Sequence, residues 1–339
     1  MEAGALKDLI ENNYDIKPVK IEKIKNIFKI ICYGKTYTLK VIPYSMERLN
    51  FILGAYKHLL NRGFNQVLDI IKTKDDREFI EFPRGFAYLN EYYDSRIVSY
   101  ENPFELALSA KSLGRLHRYS EGFKINQDMD IRALWGLWPL NFKDKERDIL
   151  SFKKEISNKK EKTDFDLFYL SLIDGEILSI EQSLEAIIKS EYESLMKEEV
   201  ILEGFCHHDF AHHNILINKD LDIKIIDFDY VILDSHLHDL SSLIIRKMRY
   251  NKWSIEDAIF IMRNYNQEYK IKEEEIPVMA GFIQFPQDFW QVGIQYYVEK
   301  QPWGEDFFNK KIEKIYQDRE SRTNFINKFS KISYKQVIK

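Results

Sequence analysis

Strand-like alternation and one helical stripe fill the first quarter of the chain, and helical spacing fills most of the rest. Leu6, Leu9 and Ile10 fall on one side of a short amphipathic helix over residues 5–13. Residues 19–31 and 36–42 read as strands around the turn Cys32-Tyr33-Gly34-Lys35. Ser45 is placed to cap a helix running to Arg62, with Leu49, Ile52, Leu53, Tyr56 and Leu60 as its buried stripe and Gly63 as its stop. Further strand-like runs at 67–72 and 78–82 surround Thr73-Lys74-Asp75-Asp76, and residues 84–93 read as a connection. Pro103 suits a first helical position, and Leu106, Ala110, Leu113 and Leu116 continue one helical face. The long helical pattern breaks once, where apolar runs at 214–218 and 222–226 flank Lys219-Asp220-Leu221 as a hairpin. The pattern predicts an α+β, two-lobed fold. A small β-rich lobe spans 1–85, a hinge 86–96 and a helical lobe 97–339, with the hairpin segment at 207–229.

Composition narrows the function classes. With 339 residues, 45% hydrophobic and 31% charged, the chain can bury a large core and is expected to fold. A net charge of −4 gives no global reason to expect nucleic-acid binding. Cys32 and Cys206 read as small buried residues in a reducing compartment. Met1-Glu2-Ala3-Gly4 lacks the basic start of a signal peptide, and no apolar run reaches membrane-spanning length, so a soluble chain made in the cytoplasm is expected. Residues 143–162 are densely charged with alternating sign, the mark of a solvated helix face.

The chemistry is concentrated late in the chain. His207-His208-Asp209-Phe210-Ala211-His212-His213-Asn214 reads as H-x-D-x-x-x-x-N, and Asp227-Phe228-Asp229 ends the following strand. If Asn218 pairs with Asp222, Asn214 lies opposite Ile226 and beside Asp227. Neighbouring strands run about 4.8 Å apart, so an amide oxygen and a carboxylate can meet one hard cation. The layout is similar to that by which kinase-like phosphotransferases place a base beside an acceptor hydroxyl, here Asp209, and oxygen ligands beside magnesium, here Asn214 and Asp227. Asp229 is a second acidic candidate, or a surface acid tied to the next loop. Lys40 lies with Thr36 and Thr38 on one side of its strand and is assigned to nucleotide phosphates. His207 is assigned to bracing the motif loop, Asp239 to holding it from a helix start, and His117 to the core. Six of eight histidines lie between His207 and His238, but without a cysteine pair their spacing is poor for zinc. Tyr92, Asp94 and Arg96 are candidate rim residues.

These motifs resemble the aminoglycoside phosphotransferase and choline kinase superfamily, which implies a protein kinase-like fold with ATP (or another nucleoside triphosphate) and Mg2+ as cofactors. Several segments resemble one branch, the CotS-type spore coat proteins: Tyr33-Gly34-Lys35-Thr36-Tyr37-Thr38-Leu39-Lys40, Leu113-Gly114-Arg115-Leu116-His117, Trp138 with the charged helix after it, and Phe285-Pro286-Gln287-Asp288-Phe289-Trp290 followed by Tyr296-Tyr297 and Trp303. The resemblance implies synthesis in a mother cell and deposition on the spore coat. Its implied partners are a hydroxyl-bearing small molecule or coat protein and other coat proteins, with neither nucleic acid nor membrane. Three departures stand out. Ile24-Lys25-Asn26-Ile27-Phe28-Lys29 has no glycine where a phosphate loop is expected, no mid-helix glutamate is available to Lys40, and His208 replaces a common glycine. Two readings stay open: a phosphotransferase acting on a hydroxyl, and a structural coat component that keeps the fold without turnover.

Overall fold

The computed structural model describes residues 3–25 and 27–338. Met1 and Glu2, on which the reading against a signal peptide partly rests, lie outside them, as does Asn26 of the 24–29 segment.

Helix α1 (Ala3–Asn13) leads into a six-stranded antiparallel sheet: β1 (Lys20–Ile24), β2 (Ile27–Ile31), β3 (Thr36–Ile42), β4 (Ile70–Ile71), β5 (Ile80–Phe82) and β6 (Gly85–Glu91). The spatial order is β1-β2-β3-β6-β4, with β5 also on β6. Leu6 and Ile10 of α1 cover one face, packing with Leu39, Ile80 and Leu89. Helix α2 (Met46–Asn61) covers the other and is capped by the Ser45 hydroxyl, which accepts from the Arg48 N–H. It stops where Gly63 adopts a φ of +83°, open to glycine at no steric cost.

Two expectations are corrected here. Residues 19–31 are not one strand but two, β1 and β2, paired antiparallel up to Ile24↔Ile27. Residues 84–93 are not mainly a connection, because β6 is the hub of the sheet, paired with β3, β4 and β5. Its Ala87, Tyr88, Leu89 and Asn90 are all buried, so the alternation that marks a half-exposed strand is absent. Pro83-Arg84 is the turn of the β5–β6 hairpin, with Phe82 paired to Gly85.

Strand β7 (Arg96–Ile97) leads into the helical region and pairs with the motif hairpin, β8 (Ile215–Ile217) and β9 (Ile223–Ile225). Around it stand α3 (Pro103–Ser120), α4 (Trp138–Asn158), α5 (Asp164–Lys189), α6 (Tyr192–Leu202), α7 (His236–Met248), α8 (Ile255–Asn266), α9 (Glu275–Gln284), α10 (Gln287–Gly293), α11 (Glu305–Phe329) and α12 (Tyr334–Ile338). Helix α3 begins on Pro103 with Asn102 as its cap. The main core runs continuously from α2 and Tyr88 through Phe228 into these helices. The sheet, hairpin and helices therefore share one packed interior, and Lys40 sits at the junction.

Candidate functional site

The hairpin has the expected register. The Asn218 N–H donates to the Asp222 carbonyl at 3.1 Å and the Ile226 N–H to the Asn214 carbonyl at 3.0 Å, which puts Asn214 beside Asp227. Side chains extend the link. Asn214 Nδ2 donates to Asp209 Oδ2 at 3.0 Å and to the Asp209 carbonyl at 2.9 Å. Its Oδ1 has no partner among the described residues.

Lys40 reaches the same place from the sheet. Its Nζ lies 2.7 Å from Asp227 Oδ1 and 2.5 Å from Asp229 Oδ1. Burial opposes the charged ammonium, but Asp229 and Asp227 together hold Lys40 above its ordinary value. Burial would also raise Asp227, yet Lys40 outweighs it and keeps that carboxyl low. Burial, together with the nearby Asp227 charge, pushes Asp229 up. Asp229 is itself buried, so the surface-acid reading of it is set aside.

The donor set suits a hard divalent cation. It is made of oxygens, with the amide oxygen of Asn214 unengaged and one oxygen of each aspartate beyond the one on Lys40. Asp227 and Asp229 also border a cavity of about 610 Å³ under β1 and β2, whose walls include Lys23, Lys25, Val41, Tyr44 and Arg84. That volume lies within the usual range for small-molecule sites.

The motif loop is held from behind. Buried Asp239 accepts the His207 N–H at 2.7 Å and the His208 N–H at 2.9 Å, and also meets His117 Nε2 at 3.3 Å. Burial opposes its charge, but the His117 and His238 rings keep the Asp239 carboxyl well below the usual range. His207 Nε2 meets the Ile226 carbonyl at 2.9 Å, tying the loop to the hairpin. His208 has a φ of +67°, a region that costs a residue with a Cβ roughly 1–2 kcal/mol. This gives a physical reason for glycine at the corresponding position in the resembled superfamily. Here the ring stacks on His238, with centroids 4.1 Å apart. His208, His238 and Asp234 lie close enough to share a metal, as do His117, Cys206 and Asp239. The side chains of both groups are already engaged: Asp234 accepts Trp138 Nε1 at 3.0 Å, and His117 Nδ1 meets the Tyr265 hydroxyl at 2.7 Å.

Several contributors carried no sequence signal. Arg48, buried in the first turn of α2, donates to the carbonyls of Asp229 at 2.6 Å and Val231 at 2.8 Å. The helix therefore meets the Asp227–Asp229 loop through arginine, and the lysine–glutamate pair of the resembled superfamily is missing, as the sequence implied; Glu47 is exposed. Arg246 of α7 places Nη2 2.6 Å from Asp209 Oδ1. Asp209 and Arg246 open into a second cavity of about 860 Å³, walled by α4, α7, α9, α10 and α11. Tyr92, Asp94 and Arg96 line neither cavity, and Arg96 is instead paired with Glu105 at 2.8 Å. Nor is the 143–162 segment simply a solvated face. Lys145 lines the larger cavity beside Trp290 and Phe285, and burial brings its ammonium down to about 8.

Comparison with known proteins agrees with this fold. An aminoglycoside phosphotransferase from Alicyclobacillus acidocaldarius superposes with a TM-score of 0.82 at 18% identity, over 97% of this chain and 95% of that one. A spectinomycin phosphotransferase solved with ADP and spectinomycin gives 0.66 at 14% identity, over 98% and 99%. Identities this low establish the kinase-like fold alone. Spore coat protein S of Bacillus subtilis (strain 168) is 22% identical over 302 residues, 88% of this chain and 85% of that protein. No described helix is long and apolar enough to cross a membrane. A family model matches residues 7–329, nearly the whole chain, and the chain belongs to that family, "Spore coat putative kinase YutH".

Proposed function

We propose that the protein is a phosphotransferase of the spore coat that uses ATP and Mg2+ and acts on a hydroxyl. The observation that carries the reading is the polar connection between the two cavities, Asp209 to Asn214 by side chain and Asn214 to the Asp227 segment by backbone. The cavity bordered by Asp227 and Asp229 takes the nucleotide, and the one holding Asp209 takes the acceptor. Asp209 orients the acceptor hydroxyl and receives its proton through a remaining oxygen lone pair. Asn214 and Asp227, with Asp229, hold magnesium, which when bound neutralises phosphate charge. Lys40 shifts from the two carboxylates toward nucleotide phosphates, keeping the site's charge balanced. Nucleotide-bound phosphotransferases of the same fold support this reading. Family membership supports other coat proteins as partners, synthesis in a mother cell and placement in the coat.

Two observations favour the second reading, a coat component without turnover. The segment joining β1 and β2 lacks glycine, and Lys40 rests on both metal-side carboxylates. A thermal-shift titration with Mg-ATP separates the two. Nucleotide at one hundred times its Kd stabilises by about 2.7 kcal/mol, a gain that Asp227→Asn should abolish. No shift at millimolar Mg-ATP would favour the structural component.

A further inference from the structure

The larger cavity contains both acids and bases, seven aspartate or glutamate side chains against five of lysine or arginine. What distinguishes them is which are already engaged. Each of three tryptophans donates its indole N–H to a wall carboxylate. Trp138 donates to Asp234 at 3.0 Å, Trp290 to Asp148 at 2.9 Å and Trp253 to Asp318 at 2.8 Å. Backbone N–H groups add to two of these, Ser235 to Asp234 at 2.8 Å and Asn251 to Asp318 at 2.6 Å. Glu176 faces Arg319 at 3.1 Å, Asp209 faces Arg246, and Asp144 pairs with Arg147. Among the described residues, Asp288 alone of the lining acids has no partner.

The cations differ. Arg249 is the C-terminal cap of α7, three residues after Arg246; both line the cavity, and both act on the charge of His212. Among the described residues Arg249 has no carboxylate within ion-pair distance; its guanidinium lies over the Tyr250 ring, 5.2 Å from the centroid. The guanidinium of Arg246 carries more N–H donors than its bond to Asp209 uses. Among the described residues Lys145 has no carboxylate in ion-pair distance; it donates to Gln287 Oε1 at 2.8 Å and lies over the Phe285 and Trp290 rings. Arg249 and Arg246 thus keep N–H donors that no wall carboxylate meets.

We infer that the acceptor is a small hydroxyl compound carrying a phosphate or carboxylate, seated by Arg249 and Arg246 with its hydroxyl toward Asp209. The inference rests on the phosphotransfer reading and adds the substrate class. An anionic oxygen group supplies acceptors to these guanidinium groups and can engage one bidentately, whereas every lining acid except Asp288 already faces an N–H donor or a cation. Arg246 acts through Asp209 as a positioning residue, and Arg249 is the specificity-determining one.

The test is isothermal titration of the full chain, without nucleotide, with glycerol 3-phosphate, glycerate, glycerol and choline. The two anionic probes are expected to bind, and the neutral and cationic ones to bind at least tenfold more weakly. Comparing glycerol 3-phosphate with glycerate identifies which anion is preferred. Arg249→Gln should weaken anion binding about tenfold or more, Arg249→Lys should recover part of it, and circular dichroism should show both folded. Choline binding as tightly as the anions, anion affinity unchanged in Arg249→Gln, or no binding of either anion at 10-millimolar-order concentration would overturn the inference. None of these outcomes touches the Mg-ATP shift, so failure here and failure of the phosphotransfer reading are distinguishable.

Discussion

Replacing Lys40 with methionine keeps most of the side-chain volume and removes the one charge that holds Asp227 and Asp229 together. The ammonium sits 2.7 and 2.5 Å from the two carboxylates; the Lys40 and Asp229 side chains are each 9% exposed and Asp227 is 33% exposed. Removing one partner of a buried ion pair costs about 3–5 kcal/mol. The partial exposure of Asp227 and the ability of Asp229 to take up a proton place this case near 3 kcal/mol at pH 8. The sign of the pH dependence follows. Without Lys40, one carboxyl of the pair has a folded pKa raised above its unfolded value, so its contribution to stability is lost as pH rises through that folded pKa. The penalty in Lys40→Met should therefore be about 1 kcal/mol smaller at pH 5 than at pH 8. Mg2+ can replace the lost positive charge, so millimolar MgCl2 should raise the urea midpoint of the variant more than that of the parent. Urea unfolding at both pH values, with and without MgCl2, checks all three. A variant within about 0.5 kcal/mol of the parent at both pH values, and indifferent to Mg2+, would refute the cluster's energetic role.

Asp209→Asn should lower ATP turnover, read with water as acceptor, by about 10²–10⁴-fold while leaving nucleotide affinity intact. Its melting temperature should barely move, because the partly exposed pair with Arg246 contributes at most about 1 kcal/mol. His236 lies buried between Glu199 and Glu275, which outweigh burial and raise its imidazole to about 10. Its stabilising contribution is complete below its unfolded value, about 6.5, and is lost as pH rises toward 10, at up to about 1.4 kcal/mol per unit. His236→Gln should flatten that stretch of a stability-versus-pH curve. Gly85→Ala should destabilise by about 2 kcal/mol or more in chemical unfolding, because the φ of +139° excludes a Cβ that would meet the Ile42 carbonyl oxygen at 2.3 Å. An alanine variant as stable as the parent would contradict the tight β5–β6 turn.

The motif hairpin was legible because its information is local. Asn214, the Lys219-Asp220-Leu221 turn and Asp227 fix one another's positions within a few residues, and a single register follows. Helix α2 was legible for the same reason, with an apolar stripe between a serine cap and a glycine stop. Strand β6 was not, because burial on both faces removes the alternation by which a strand is read. Arg48 and Arg246 were hidden differently: each meets its partner across a tertiary contact, 181 and 37 residues distant. The Trp138 and Phe285–Trp290 segments stood out in the family resemblance without an assigned role. Only the packing of α4 against α10 shows them as walls of one cavity, and single-helix patterning cannot show which of two charged faces turns inward.

In the proposed site an amide oxygen and a carboxylate from the two sides of one hairpin hold the same divalent ion. Crystals grown with Mn2+ and a non-hydrolysable ATP analogue, read by anomalous scattering, test it directly. The expected result is a manganese peak about 2.1–2.2 Å from Asn214 Oδ1 and from an Asp227 carboxylate oxygen, with Lys40 moved off Asp227 toward the phosphates. Nucleotide bound with manganese elsewhere, or Lys40 still bridging Asp227 and Asp229 in the presence of both ligands, would contradict it.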